Sequence, residues 1–112
     1  DCSSPSRYIR AAFYRLNSLC EDQEHSRVAQ FFRLLDTVAM PRGSVITEQG
    51  REDITIYSCC MSKATQTYYC KTYESAGICA VSMRPEMMDD KQLHIYDLCQ
   101  QWSPIFIPEQ RA

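Results

Sequence analysis

The residues best equipped for chemistry are the cysteines. Cys2, Cys20, Cys59, Cys60, Cys70, Cys79 and Cys99 make seven in a chain of 112. Cys59, Cys60, Cys70 and Cys79 fall inside one stretch, "DITIYSCCMSKATQTYYCKTYESAGICAVSM", and the first two are adjacent. A nucleophilic thiolate needs a base beside it. Neither His25 nor His94 is paired with a cysteine in local sequence, and His94 lies five residues before Cys99, off its helical face. A structural metal needs paired ligands a few residues apart. No C-x2-C or C-x4-C pair occurs, and no residue set implies a metal or another cofactor. What remains is disulfide chemistry. Dispersed cysteines in a small chain predict bridges and an oxidising, extracellular setting, each bridge contributing ~2–4 kcal/mol. The odd count leaves one thiol over, either buried, reactive at the surface, or linking two chains.

Other groupings are weaker. Asp90, His94 and Asp97 are spaced i, i+4, i+7 and would hold an imidazolium between carboxylates on a helix; an exposed polar face with weak ion pairs is the favoured reading. Glu48, Glu52, Asp53 and His25 with an arginine supply the residue types of a ribonuclease, without a spacing that supports one. Secreted phospholipases carry His-Asp shortly after a Cys-Cys pair; here "MSKATQ" follows instead. Arg7, Arg10 and Arg15 read as the solvated face of a helix, and Met83, Met87 and Met88 as pliable filling around Pro85. Tyr57, Tyr68, Tyr69 and Tyr73 cluster on predicted strands, and Phe106 sits in an apolar triplet between two prolines. These five are candidate binding residues, because exposed aromatics are rigid contact groups.

The elements that would position these residues follow from hydrophobic period. In "SPSRYIRAAFYRLNSLC", Ile9, Ala12, Phe13, Leu16, Leu19 and Cys20 recur at three- and four-residue steps, which predicts an amphipathic helix begun by Ser4-Pro5. "HSRVAQFFRLLDTVAMPRG" carries a second stripe ended by Pro41 and Gly43, and the short "EDQEHS" connection predicts a helical hairpin. The middle third is β-branched and aromatic, with turn-like joints at "QGRED", "SKA" and "ESAG". It predicts three or four antiparallel strands, although residues 64–76 also fit a helix. A last helix is expected over 91–102, capped by Asp89 or Asp90, followed by an extended tail over 103–112.

The resulting expectation is an α+β fold: an N-terminal helical hairpin and a C-terminal helix packed on a small antiparallel sheet, stabilised by disulfides. Residues 1–112 form one domain of globular composition, 45% hydrophobic and 23% charged. A net charge of −2 with both signs interspersed argues against nucleic acid. No run is long enough for a membrane span. The Asp1-Cys2 start suggests a processed terminus. The cysteine order fits no growth-factor, chemokine or protease-inhibitor framework. By class, the reading is a secreted cysteine-rich binding protein, of the effector, virulence, toxin or signalling kind, that meets an extracellular or host protein. A small secreted hydrolase such as a ribonuclease, and a disulfide-linked homodimeric receptor ligand, are the alternatives.

Overall fold

The computed structural model describes residues 1–75, 77–97 and 104–110. Two helices come first, α1 (Ser4–Leu16) and α2 (Glu24–Asp36). A minimal hairpin of β1 (Val45–Ile46) and β2 (Glu52–Asp53) follows. Then β3 (Tyr57–Ser62), β4 (Thr67–Thr72) and β5 (Cys79–Ser82) form an antiparallel sheet in that spatial order.

Helix α1 starts where its local chemistry allows. The Ser3 hydroxyl accepts from the Ser6 amide, and Pro5 sits in the first turn, where a missing N–H goes unnoticed. The Asn17 amide and side chain both donate to the Phe13 carbonyl and close the helix. Yet α1 does not bury the stripe that predicts it. Ile9, Phe13 and Leu16 are exposed, while Ser6, Arg7, Arg10 and Ala11 are half-buried. The contacts that hold α1 to the end of α2 are polar. Arg7 Nε donates to the Val38 carbonyl at 3.0 Å, and Arg10 donates to the Thr37 carbonyl at 2.9 Å. Carbonyls at a helix C-terminus lack intrahelical donors and carry the negative end of its dipole. The guanidinium groups reach the end of α2, and the apolar stripe turns outward. Arg10 also holds the Asp1 carbonyl at 2.7 Å. Arg7 and Arg10 therefore join the helical hairpin rather than face solvent; Arg15 remains exposed.

Helix α2 packs on the sheet. Phe32 and Cys70 are the buried apolar side chains among the described residues. Lys71 of β4 stands over the Phe32 ring, 5.5 Å from its centre, and its ammonium also meets Asp36 at 2.7 Å. The segment leaving α2 is stitched to the strand region. The Met40 amide donates to Thr55 Oγ1 at 2.8 Å, and the Thr55 amide returns a bond to the Met40 carbonyl at 3.0 Å. In the sheet, Cys59 faces Cys70 and Cys60 faces Tyr69 across β3 and β4, while Cys70 faces Cys79 across β4 and β5. The strand reading of 67–72 prevails over the helical one because each of its residues has a cross-strand partner on β3. Gln66 takes the left-handed conformation, φ 52°, in the turn that delivers β4.

The expected fold class needs correction. Within the predicted last helix, residues 91–97 have no regular secondary structure; residues 98–102 lie outside the described ones. Instead a single 3-10 turn spans Pro85–Met87. Asp90 accepts from the Gln92 amide at 2.9 Å, a local turn that competes with helix. Nor does a disulfide join any of the described cysteines. Cys2, Cys20, Cys59, Cys60, Cys70 and Cys79 are free thiols, and Cys99 lies outside the described residues. Cys59 and Cys60 do face opposite ways, as a strand requires. But Cys60 looks onto Val28 and Phe31 of α2, where no thiol waits, and Cys20 is exposed beyond the end of α1. No helix among the described residues is long and apolar enough to cross a membrane.

Candidate functional site

Strand alternation divides the sheet into two chemically different faces. The face toward α2 is polar and organised by one carboxylate. Glu24, in the first turn of α2, accepts from Ser62 Oγ at the end of β3. It also accepts from Thr65 Oγ1 in the turn, at 2.8 Å, and from the Tyr69 hydroxyl of β4, at 2.8 Å. These hydroxyls, Ser62 first, lower the Glu24 pKa below its ordinary value. The same bond raises the Tyr69 phenol. On this face too, burial raises the Cys60 thiol.

The opposite face is apolar and sulfur-rich. Cys59, Cys70 and Cys79 stand in a row across the three strands, with Tyr68 two residues before Cys70 on the same side. Hydrogen bonding to Cys59, then burial, push the Tyr68 phenol up to about 12. Burial raises the Cys70 thiol as well. Both shifts favour the neutral forms, so Cys70 is a poor source of thiolate. Residues 83–97 fold back over one end of this face. They form an open groove of about 500 Å³ between the sheet residues Met61, Tyr68 and Val81 and the overlying Met83, Met87, Met88 and Tyr96. Lys63 and His94 are the ionisable cationic groups of its wall. His94 Nε2 pairs with Asp90 at 3.0 Å. The Gln92 amide and then His94 hold the Asp90 carboxyl below its usual range.

The candidate binding residues do not form one patch. Tyr57 and Tyr68 share the sulfur-rich face, Tyr69 is committed to Glu24, and Tyr73 lies past the end of β4, where its oxygen accepts from the Arg42 amide at 3.0 Å. Phe106 is exposed in residues 104–110, which have no regular secondary structure. Asp90 and His94 do meet, though not on a helix. Glu52 pairs with Arg42 at 3.2 Å. Sequence reasoning missed Glu24 because "EDQEHS" reads as a polar connection; an acid in the first turn of a helix opposite a Ser/Thr-rich turn was the available signal. Met61 and Lys63 were missed because the groove is made by chain return rather than by spacing.

The family model described as linear amide C–N hydrolases, choloylglycine hydrolase family, matches residues 1–96. A bile salt hydrolase/transferase of Lactiplantibacillus plantarum is 40% identical over 98 residues, covering 88% of this chain and 30% of the relative. One from Clostridium perfringens is 36% identical over 96 residues, covering 86% and 29%. A crystal structure of a mutant conjugated bile acid hydrolase from Clostridium perfringens superposes with a TM-score of 0.79 at 31% identity, covering 96% of this chain and 33% of that one. The chain spans about a third of the length of the relatives it matches.

These findings overturn the expectation of a secreted, cysteine-rich effector, toxin or signalling ligand. The fold is that of part of a choloylglycine hydrolase, not a disulfide-stabilised small domain. The relatives are named for action on bile salts, small molecules rather than extracellular or host proteins. The ribonuclease alternative fails on the same comparison. The disulfide-linked homodimer and the secreted location both rested on counting bridges that the free thiols do not make.

Proposed function

The chain belongs to the choloylglycine hydrolase family of linear amide C–N hydrolases, and from that premise we propose that the protein cleaves the amide bond of a conjugated bile salt. Water adds across the C–N bond, giving a carboxylate on the steroid side and a free amine. The observation that carries this reading is the family match over residues 1–96 together with the 0.79 superposition on a conjugated bile acid hydrolase.

The described residues contain no histidine hydrogen-bonded to a cysteine, serine or threonine; His94 bonds to Asp90. The nearest thing to a reactive row, Cys59–Cys70–Cys79, has Cys70 buried and held as thiol. The part assigned to this segment is therefore framework. The arginine-locked hairpin and the Glu24-locked sheet hold two layers in fixed relation, and fixed geometry is what a catalytic constellation needs from its supports.

The test is amine release from a conjugated bile salt by the whole protein, followed with an amine-reactive dye. Hydrolysis with appearance of the free bile acid is expected; no release from any conjugate refutes the reading. A chimera in which residues 1–96 replace the matching stretch of the Clostridium perfringens enzyme tests the framework role. It should retain hydrolysis, and a folded but inactive chimera would show that the segment does more.

A further inference from the structure

We infer that Cys59 and Cys70 form a two-coordinate site for a soft, thiol-seeking cation of the copper(I) class, held in line between their sulfurs. The site rests on the sheet alone and not on the activity proposed above. The two cysteines face each other across β3 and β4, and the ladder fixes how closely. The Tyr73 amide donates to the Ile56 carbonyl at 2.9 Å. Residues 56 and 73 are therefore a hydrogen-bonded pair, and by alternation Cys59 and Cys70 are a non-hydrogen-bonded one. Such pairs bring their Cα atoms to ~4.5 Å, against ~5.5 Å in hydrogen-bonded pairs. Across β4 and β5 the Met83 amide donates to the Gln66 carbonyl at 2.8 Å, which makes Cys70 and Cys79 a hydrogen-bonded pair, set farther apart. Cys60 points to the other face, toward Val28 and Phe31.

Spacing favours an ion over a bond between the sulfurs. Side chains directly opposite on a sheet hold their Cβ atoms ~4.5–5.5 Å apart, wider than the ~3.8 Å mean of a disulfide. An ion bonded in line to two sulfurs at ~2.3 Å each keeps them ~4.6 Å apart, so the strands need not draw together. Thiolates select soft metals. Among the described residues no three of His, Cys, Asp and Glu gather to hold a metal, which leaves zinc short of its four ligands. Copper(I) is satisfied by two. Binding is a proton exchange. Each thiol releases its proton as its sulfur bonds the ion, so one copper(I) and two thiols give a bis-thiolate anion and two protons, with no change of oxidation state. Cys70 is buried with its thiol pKa raised, and it becomes a ligand only where an ion displaces that proton. Tyr68 lies on the same side of β4, hydrogen-bonded to Cys59 and Cys70. A phenol held protonated donates to the thiolates as they form, the outer support by which metal centres fix their ligands.

The whole protein, fully reduced, is titrated with copper(I) without oxygen and in competition with bicinchoninate, a copper(I) chelator. X-ray absorption then counts the ligands. The first equivalent should bind two sulfurs in line and raise the thermal midpoint, because it ties β3 to β4. Cys59→Ser should abolish that equivalent, while Cys20→Ser and Cys79→Ser leave it unchanged. Tyr68→Phe should weaken it about tenfold and keep the two-sulfur count. A measurement on the parent protein needs no variant to fold: copper(I) should slow alkylation of Cys59, read by mass spectrometry, and leave exposed Cys20 reacting as before. The proposal is overturned if Cys20→Ser weakens binding as much as Cys59→Ser does, which is an adventitious ion on surface thiols. It is overturned equally if Cys79→Ser rather than Cys59→Ser removes the ion, if the copper has three or four ligands, or if copper(I) leaves Cys59 alkylation unchanged.

Discussion

Replacing Phe32 by alanine tests how α2 is held on the sheet. Phe32 is 3% exposed and sits under Lys71, whose ammonium lies 5.5 Å from the ring centre. Truncating a buried phenylalanine costs about 3–5 kcal/mol, part lost transfer energy and part cavity. Natural domains hold only ~5–15 kcal/mol in total. The variant should therefore lose roughly a fifth or more of its stability, read as a lower urea midpoint with an unchanged slope. Phe32→Leu keeps most of the volume and should cost under ~1.5 kcal/mol. The ring–ammonium contact is isolated by a double-mutant cycle pairing Phe32→Leu with Lys71→Met, which should return a coupling of about 0.5–1 kcal/mol. A Phe32→Ala cost below about 1 kcal/mol would refute the placement of α2 on β4, because a ring in solvent leaves no cavity behind.

Glu24→Gln should lower the thermal midpoint at neutral pH. The folded-state pKa of Glu24 is depressed, so its contribution is present above the ordinary glutamate value of 4.5 and is lost as pH falls through the lower folded value. The gap between parent and variant midpoints should close on acidification; a gap that persists at low pH would contradict the hydroxyl bonds as its source. Alkylation with mass spectrometry should find Cys2 and Cys20 modified first, being exposed, and Cys70 last, being buried with a raised pKa. A bridge among the six described cysteines would overturn the thiol assignment. Gln66→Gly should stabilise the protein by about 0.5–1 kcal/mol, since glycine tolerates the left-handed conformation at φ 52°; a loss of stability would show that the Gln66 side chain holds the turn.

The sequence made the local elements readable and the long-range ones misleading. Helices α1 and α2 lie where periodicity and capping place them, and the strands lie where β-branched and aromatic residues gather. The direction in which α1 faces was not readable. A stripe of Ile9, Phe13 and Leu16 outweighs three arginines in any hydrophobic count, but Arg7 and Arg10 find carbonyls just past the end of α2 that no count can see. The cysteines misled for a related reason. Their spacing is as compatible with a row of free thiols across a sheet as with bridges, and only the three-dimensional arrangement separates the two. Of the candidate site, the Asp90–His94 pair was visible at i, i+4 and survives without its helix. The groove was not, because Met61 and Met83 meet only after the chain has turned twice.

The three hydroxyls gathered by Glu24 come from Ser62, Thr65 and Tyr69, lying 38, 41 and 45 residues further along the chain. A helix and a hairpin each assemble from near neighbours within microseconds, but a contact across that span must wait until the intervening loop has closed. The carboxylate is thus a latch set after both pieces exist. Removing it should leave the refolding rate nearly unchanged and hasten unfolding, so Glu24 governs how long the two layers stay together rather than how fast they find each other.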